Sequence, residues 1–136
     1  MERLVLRRVV MNSWGEELKA RTRRFALDVI RLVRAMPYDA ATESMKRQLV
    51  RAATGVSANY RSACRARSHA EFTARIGVVL EEADESEGWL DLFRQADANG
   101  SSDLQRLLQE SHELVWLFAA ANRTARARTK RRSGLS

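Results

Sequence analysis

Met45, Leu49, Ala52, Val56, Tyr60 and Ala63 recur at steps of three or four residues, which puts them on one stripe of a helix of period 3.6. Shortly after Ala63, Ser68 followed by Glu71 spells a capping box, in which the Ser side chain accepts from the N3 amide and the Glu reaches back to the Ser amide. One amphipathic helix therefore ends and another begins with almost no loop between them, across Gln48 to Phe72. A chain organised on such a hairpin must fold by packing helices. The stripe is also small-featured, because Ala52, Ala53, Thr54, Gly55, Ser57 and Ala58 let another backbone come close.

The rest of the chain repeats the pattern. Ser13 with Glu16 forms another capping box, and Leu18, Phe25, Val29, Leu32, Val33 and Met36 share one face, predicting helix 1 over roughly 14–36. Pro37 stops it, since the residue before a proline avoids the helical region. Tyr38 to Ala41 connects to helix 2, from about Thr42 to Arg65. Helix 3 starts after Ser68, turns Phe72, Ile76, Val79, Ala83, Ser86, Leu90 and Phe93 inward, and ends near Asp97 before Ala98-Asn99-Gly100-Ser101. Ser102 with Gln105 opens helix 4, whose inward residues are Leu104, Leu107, Leu108, Ser111, Leu114, Val115, Phe118 and Asn122. Short links between long helices predict an all-α, up-down-up-down four-helix bundle. One proline and six glycines leave little room for an all-β fold, and no internal repeat supports a solenoid. The expected organisation is an extension over 1–12, disordered or weakly helical, a bundle over 13–122 and a basic tail over 123–136.

The formal net charge of +7 is unevenly placed: residues 1–10 carry +2, residues 123–136 carry +6, and the stretch between carries −1. Cys64 is the only cysteine, so no intramolecular disulfide forms and a reducing compartment is expected. The apolar residues of MERLVLRRVVMNSWG are broken by Arg3, Arg7 and Arg8, too short and too charged a run for a signal or a membrane span. A cytoplasmic protein without membrane partners is the expectation.

Catalytic patterns are sparse. Di-iron bundles use Glu-x-x-His motifs, but neither His69 nor His112 follows a Glu at that spacing, so no metal site is expected. Cys64 near His69 suggests a thiolate pair only weakly, with no third group to orient it. No glycine-rich phosphate loop is present, and neither cofactor nor enzymatic activity is expected.

Charge patterning carries more. Helix 3 holds Glu81, Glu82, Asp84, Glu85, Glu87 and Asp91, and its wheel places Glu81, Glu82 and Glu85 in one wedge with Val78, Trp89 and Leu92. Helix 2 answers with Arg47, Arg51, Thr54, Ala58, Arg61 and Arg65 opposite its core stripe. As solvated faces these would contribute only about 0 to 1 kcal/mol per exposed pair. Trp89, with Trp116 on the outer side of helix 4, favours an interface. The reading is therefore self-association, the acidic Trp-bearing facet of one copy (Glu81, Glu82, Glu85, Trp89, Trp116) meeting a basic facet of the next and closing into a ring or running into a filament. In the tail, Arg123, Arg126, Arg128, Lys130, Arg131 and Arg132 have no acidic residue to offset them, a composition suited to the backbone of RNA or DNA. Arg47, Arg51, Arg61 and Arg65 are secondary candidates. The alternative is a protein-interaction scaffold whose tail serves only solubility.

The run Gln48-Leu49-Val50-Arg51-Ala52-Ala53-Thr54-Gly55-Val56-Ser57-Ala58-Asn59-Tyr60, then Arg65, Arg67, Ser68, Glu71 and Phe72, and Glu81-Glu82-Ala83-Asp84-Glu85, resembles the four-helix-bundle proteins first noted in intervening sequences of bacterial 23S ribosomal RNA genes. These are related in fold to the accessory proteins of diversity-generating retroelements. The likeness spans about Trp14 to Asn122, and Pro37 fits it. It implies a bacterial bundle assembled as a homopentameric ring, with no agreed catalytic residues, and with RNA, DNA or a nucleic-acid enzyme such as a reverse transcriptase as partner. The chain departs from the commonest pattern at Asn59-Tyr60-Arg61-Ser62-Ala63, where an Asn-Ile-Ala-Glu-Gly run is usual.

Overall fold

The computed structural model describes residues 2–96, 101–132 and 134, with side chains placed from residue 15 to residue 131 within that range. Four helices follow one another: α1 (Glu2–Ala35), α2 (Glu43–Cys64), α3 (His69–Ala96) and α4 (Ser102–Arg132). Rising numbers in one helix meet falling numbers in its neighbour. Arg51 and Gly55 of α2 lie against Glu85 and Glu82 of α3, Gly77 and Glu87 of α3 against Asn122 and His112 of α4, and Arg21 and Asp28 of α1 against Glu110 and Arg106 of α4. Those registers make every neighbouring pair antiparallel, the up-down-up-down bundle the short connections predict.

The apolar stripes meet in one core. Phe25 and Val29 of α1, Leu49 and Val56 of α2, Ile76, Val79 and Leu90 of α3, and Leu107, Leu114 and Phe118 of α4 are its most completely enclosed apolar side chains. Tyr60 tilts against Phe118 with ring centroids 5.4 Å apart, an aromatic pair that joins α2 to α4 near the α2–α3 turn. The buried hydroxyls of Thr22, Ser86 and Ser111 donate to carbonyls of their own helices at 2.9, 2.8 and 2.6 Å. They therefore sit in the core without an unpaired donor. Lys46, also buried, reaches the Pro37 carbonyl and the Glu43 carboxylate, each at 2.7 Å.

The helix ends refine the expected boundaries. α1 ends at Ala35, one residue before the predicted stop, with the Met36 amide turned back to the Val33 carbonyl. The Ser68 box forms with a shift: the Glu71 amide donates to Ser68 Oγ at 3.1 Å, but the Glu71 carboxylate takes the Arg67 amide instead of the Ser68 amide. At α4 the cap is Ser101, whose Oγ accepts from the Leu104 amide at 3.1 Å, so the pairing of Ser102 with Gln105 is corrected by one residue. The predicted stop at Asp97-Ala98-Asn99-Gly100 lies outside the described residues.

Both terminal segments are helical over residues 2–12 and 123–132. Residues expected to precede helix 1 belong to α1, which starts at Glu2; Ser13 is thus inside the helix rather than at its cap, and its side chain lies outside the described residues. α4 passes residue 122 and reaches Arg132, with Ala125 only 4% exposed. The basic segment begins as part of the packed bundle.

Candidate functional site

The two arginine groups singled out by the sequence meet different surroundings. On α2, Arg47, Arg51, Arg61 and Arg65 are all exposed and stand on the outer face, as the spacing requires. Arg51 bends across to α3 and forms an ion pair with Glu82 at 3.4 Å and a closer one with Glu85. Hydrogen bonding from Arg51 holds the Glu85 carboxyl below the usual carboxylate range, against the opposing effect of burial. Trp89 joins the group by donating its indole N–H to Glu85 at 3.4 Å. Gly55 makes room for this cluster. A Cβ there would come within 3.0 Å of the Glu82 carboxyl carbon, so the small-residue stripe serves a buttressed carboxylate as well as backbone approach.

Two of the acidic residues expected to meet another copy, Glu82 and Glu85, are thus engaged by Arg51 of their own chain. Glu81 stays exposed, Trp89 is half-buried and Trp116 is 69% exposed. Val78 and Leu92 are exposed on the same side of α3 as Glu85. What faces outward from the wedge is its apolar part together with Glu81.

The second group lies on the last turns of α4. Arg123, Arg126, Arg128, Lys130 and Arg131 are exposed on a continuous helix, and the side chain of Arg132 lies outside the described residues. Among the described residues, no carboxylate forms an ion pair with Arg123, Arg126, Arg128 or Arg131. The tail is fixed to the bundle by a hydrogen bond that local periodicity does not announce. His69, the first residue of α3, places Nε2 2.9 Å from the Ala125 carbonyl, and because a carbonyl only accepts, Nε2 carries the proton. Thr129 Oγ1 donates to the same carbonyl at 3.0 Å. A histidine in the first turn of a helix beside a short connection was the available signal, but its partner lies 56 residues away in sequence.

That bond also takes His69 away from Cys64. The thiol is exposed, and its neighbour is Tyr60, whose hydroxyl is pushed up mainly by burial and further by Cys64. His112 places Nδ1 3.1 Å from Glu87 of α3, a pairing between helices. Arg61 stands at the rim of an open groove of about 500 Å³ between α1 and α2, with Ala20, Ala26, Ser57 and Ala58 along it. Among the described residues, no group of three or more His, Cys, Asp and Glu is placed to hold a metal ion, and no helix is long and apolar enough to cross a membrane.

Comparison with known proteins matches the chain to a family and to solved structures. The family described as 23S rRNA-intervening sequence protein matches residues 17–120. A solved structure of a protein of unknown function from the S23 ribosomal protein family of Bacteroides thetaiotaomicron is similar in fold, with a TM-score of 0.69 and 26% identity over 76% of this chain and 96% of that one. No curated protein matches.

Proposed function

Because the chain belongs to the 23S rRNA-intervening sequence protein family, we propose that it works without catalysis, as a homo-oligomeric bundle that binds RNA or DNA through charge in the bacterial cytoplasm. A pentameric ring is the assembly this reading adopts. The observation that carries the proposal is the exposed row Arg123, Arg126, Arg128 and Arg131 on a helix anchored at Ala125. Ordering those side chains on a fixed helix lowers the entropy cost of meeting a row of phosphates. Arg47, Arg61 and Arg65 serve as secondary contacts, since Arg51 is occupied by Glu82 and Glu85.

A labelled duplex titrated at several salt concentrations tests the reading. If about five tail charges contact phosphates, log K falls with log salt at a slope of roughly −4.5 per chain. Absence of binding at physiological salt, or binding that does not respond to salt, rejects it.

Exposed Trp116, Leu92 and Val78 favour a second reading, a scaffold for a protein partner such as a nucleic-acid enzyme. Retention of a protein partner by a chain that binds no nucleic acid would select it.

A further inference from the structure

The geometry points to a composite duplex-binding end of the bundle, made jointly by the last turn of α2 (Arg61) with the α2–α3 turn (Arg65, Arg67) and the last turns of α4 (Arg123, Arg126, Arg128), and held in register by His69. It rests on the nucleic-acid reading above and goes further, assigning Arg67 and His69 roles and naming the form of nucleic acid.

The antiparallel order brings the C-terminus of α2, the N-terminus of α3 and the end of α4 to one pole. Arg65 and Arg67 lie within four residues of His69, whose ring bonds the Ala125 carbonyl, and Arg123 and Arg126 flank Ala125. All six arginines are exposed. Arg47 is excluded, because it lies about 27 Å along α2 from Arg65 at 1.5 Å per residue.

Folding has therefore gathered like charges at this pole, and the described carboxylates nearby are engaged elsewhere: Glu16, which shares the α1–α2 groove with Arg61, pairs with Lys19 at 2.6 Å. Glu71 accepts from the Arg67 amide at 3.0 Å and lies 3.9 Å from the Arg75 guanidinium. Such a concentration of positive potential attracts a polyanion. Arginine also matches phosphate oxygens with a planar fork of donors.

Among the described residues, the aromatics at this pole pack inward: Tyr60 is buried and Phe72 is half-buried against the core. Tyr38, the most exposed of the described aromatics, sits at the α1–α2 corner at the opposite end of the bundle, and Trp116 precedes Ala125 on α4 by more than two turns. Single-strand binders pair a basic groove with aromatics on which bases stack. Exposed arginines beside inward-packed aromatics suit the phosphate backbone of a duplex, read without regard to sequence.

The test measures the affinity of the full chain for a labelled DNA duplex, and for one of its strands alone, across a salt series. Three variants are compared: Arg61, Arg65 and Arg67 changed to Gln, Arg123, Arg126 and Arg128 changed to Gln, and His69→Ala. Removing one phosphate-bound charge flattens the slope by about 0.9, so each arginine variant is expected to flatten it by up to about 2.7. His69→Ala is expected to flatten it as well although the arginines are intact, because an unlatched tail no longer meets the same duplex as the turn. Retained helicity by circular dichroism assures that the fold is present. If the wild type does not bind, the functional reading itself falls. If it binds and the turn variant keeps the full slope, the tail acts alone and the composite end is overturned. A His69→Ala slope equal to wild type overturns the latch, and equal or tighter binding of the single strand overturns the duplex assignment.

Discussion

Arg51 and Arg126 are both exposed arginines on outer helix faces, yet they stand in opposite electrostatic situations. Arg51 faces a helix that presents Glu82 and Glu85 at matching heights, and Gly55 clears the space in which those carboxylates sit. Arg126 is exposed near the end of α4, and among the described residues no carboxylate pairs with it. The first arrangement settles its charge within the chain and the second leaves it outstanding. An arginine row becomes a binding surface or a structural seam according to what the neighbouring helix offers, and charge spacing along one helix cannot distinguish the two.

The most severe way to break the contrast is to remove the ground beneath it. Phe118 is 1% exposed and packs on Tyr60, so Phe118→Ala should cost about 3 to 5 kcal/mol of stability, read from urea unfolding. Destabilisation on that scale would loosen α4 against α2 and affect seam and tail alike. Changing Arg126, Arg128 and Arg131 to Gln should leave the unfolding curve in place while weakening duplex affinity at least about tenfold at physiological salt. Arg51→Gln should do the reverse, sparing duplex affinity and lowering the thermal midpoint slightly.

Gly55→Ala sharpens the seam side. Alanine is favoured over glycine inside a helix by about 0.8 to 1 kcal/mol, but its Cβ would meet the Glu82 carboxyl. That carboxyl is the far end of a flexible side chain and can swing aside. A net stabilisation of less than about 1 kcal/mol in urea unfolding is expected, together with a weaker ion pair between Arg51 and Glu82.

The smallest effect concerns pH. The Glu85 carboxyl has its folded pKa lowered by Arg51, so the pair's contribution is present above the ordinary value of 4.5 and is lost as pH falls through the lowered folded value. Wild type and Arg51→Gln should therefore differ slightly at neutral pH and converge below that range. A difference that persisted in strong acid would assign the effect of Arg51 to packing.

The sequence disclosed the helices and the core well because both rest on local periodicity. Leu49, Val56, Ile76, Leu90, Leu107 and Phe118 are expected inward and are buried. The turn at Ser68 was legible from a four-residue box. What escaped was non-local or off by one position: the Ser101 cap, the hydrogen bond from His69 to Ala125, and the reach of Arg51 across to its own α3. A helical wheel gives the direction of each side chain but not the height at which the next helix places its partner. The continuation of α1 back to Glu2 was likewise hidden, because residues 1–10 have no clear apolar period to announce it.

The bond from His69 to Ala125 also bears on how the chain withstands proteases. A loose segment so rich in arginine would be an immediate substrate for trypsin, since cleavage requires several residues to enter the enzyme's cleft extended. With the Ala125 carbonyl held by His69 and Thr129, Arg123 and Arg126 are guarded until α4 frays from its end, whereas Arg131 lies nearer that end. Trypsin should therefore shorten the protein stepwise from its C-terminus, pausing at the latch, and the length of that pause reports how firmly the basic helix is seated on the bundle.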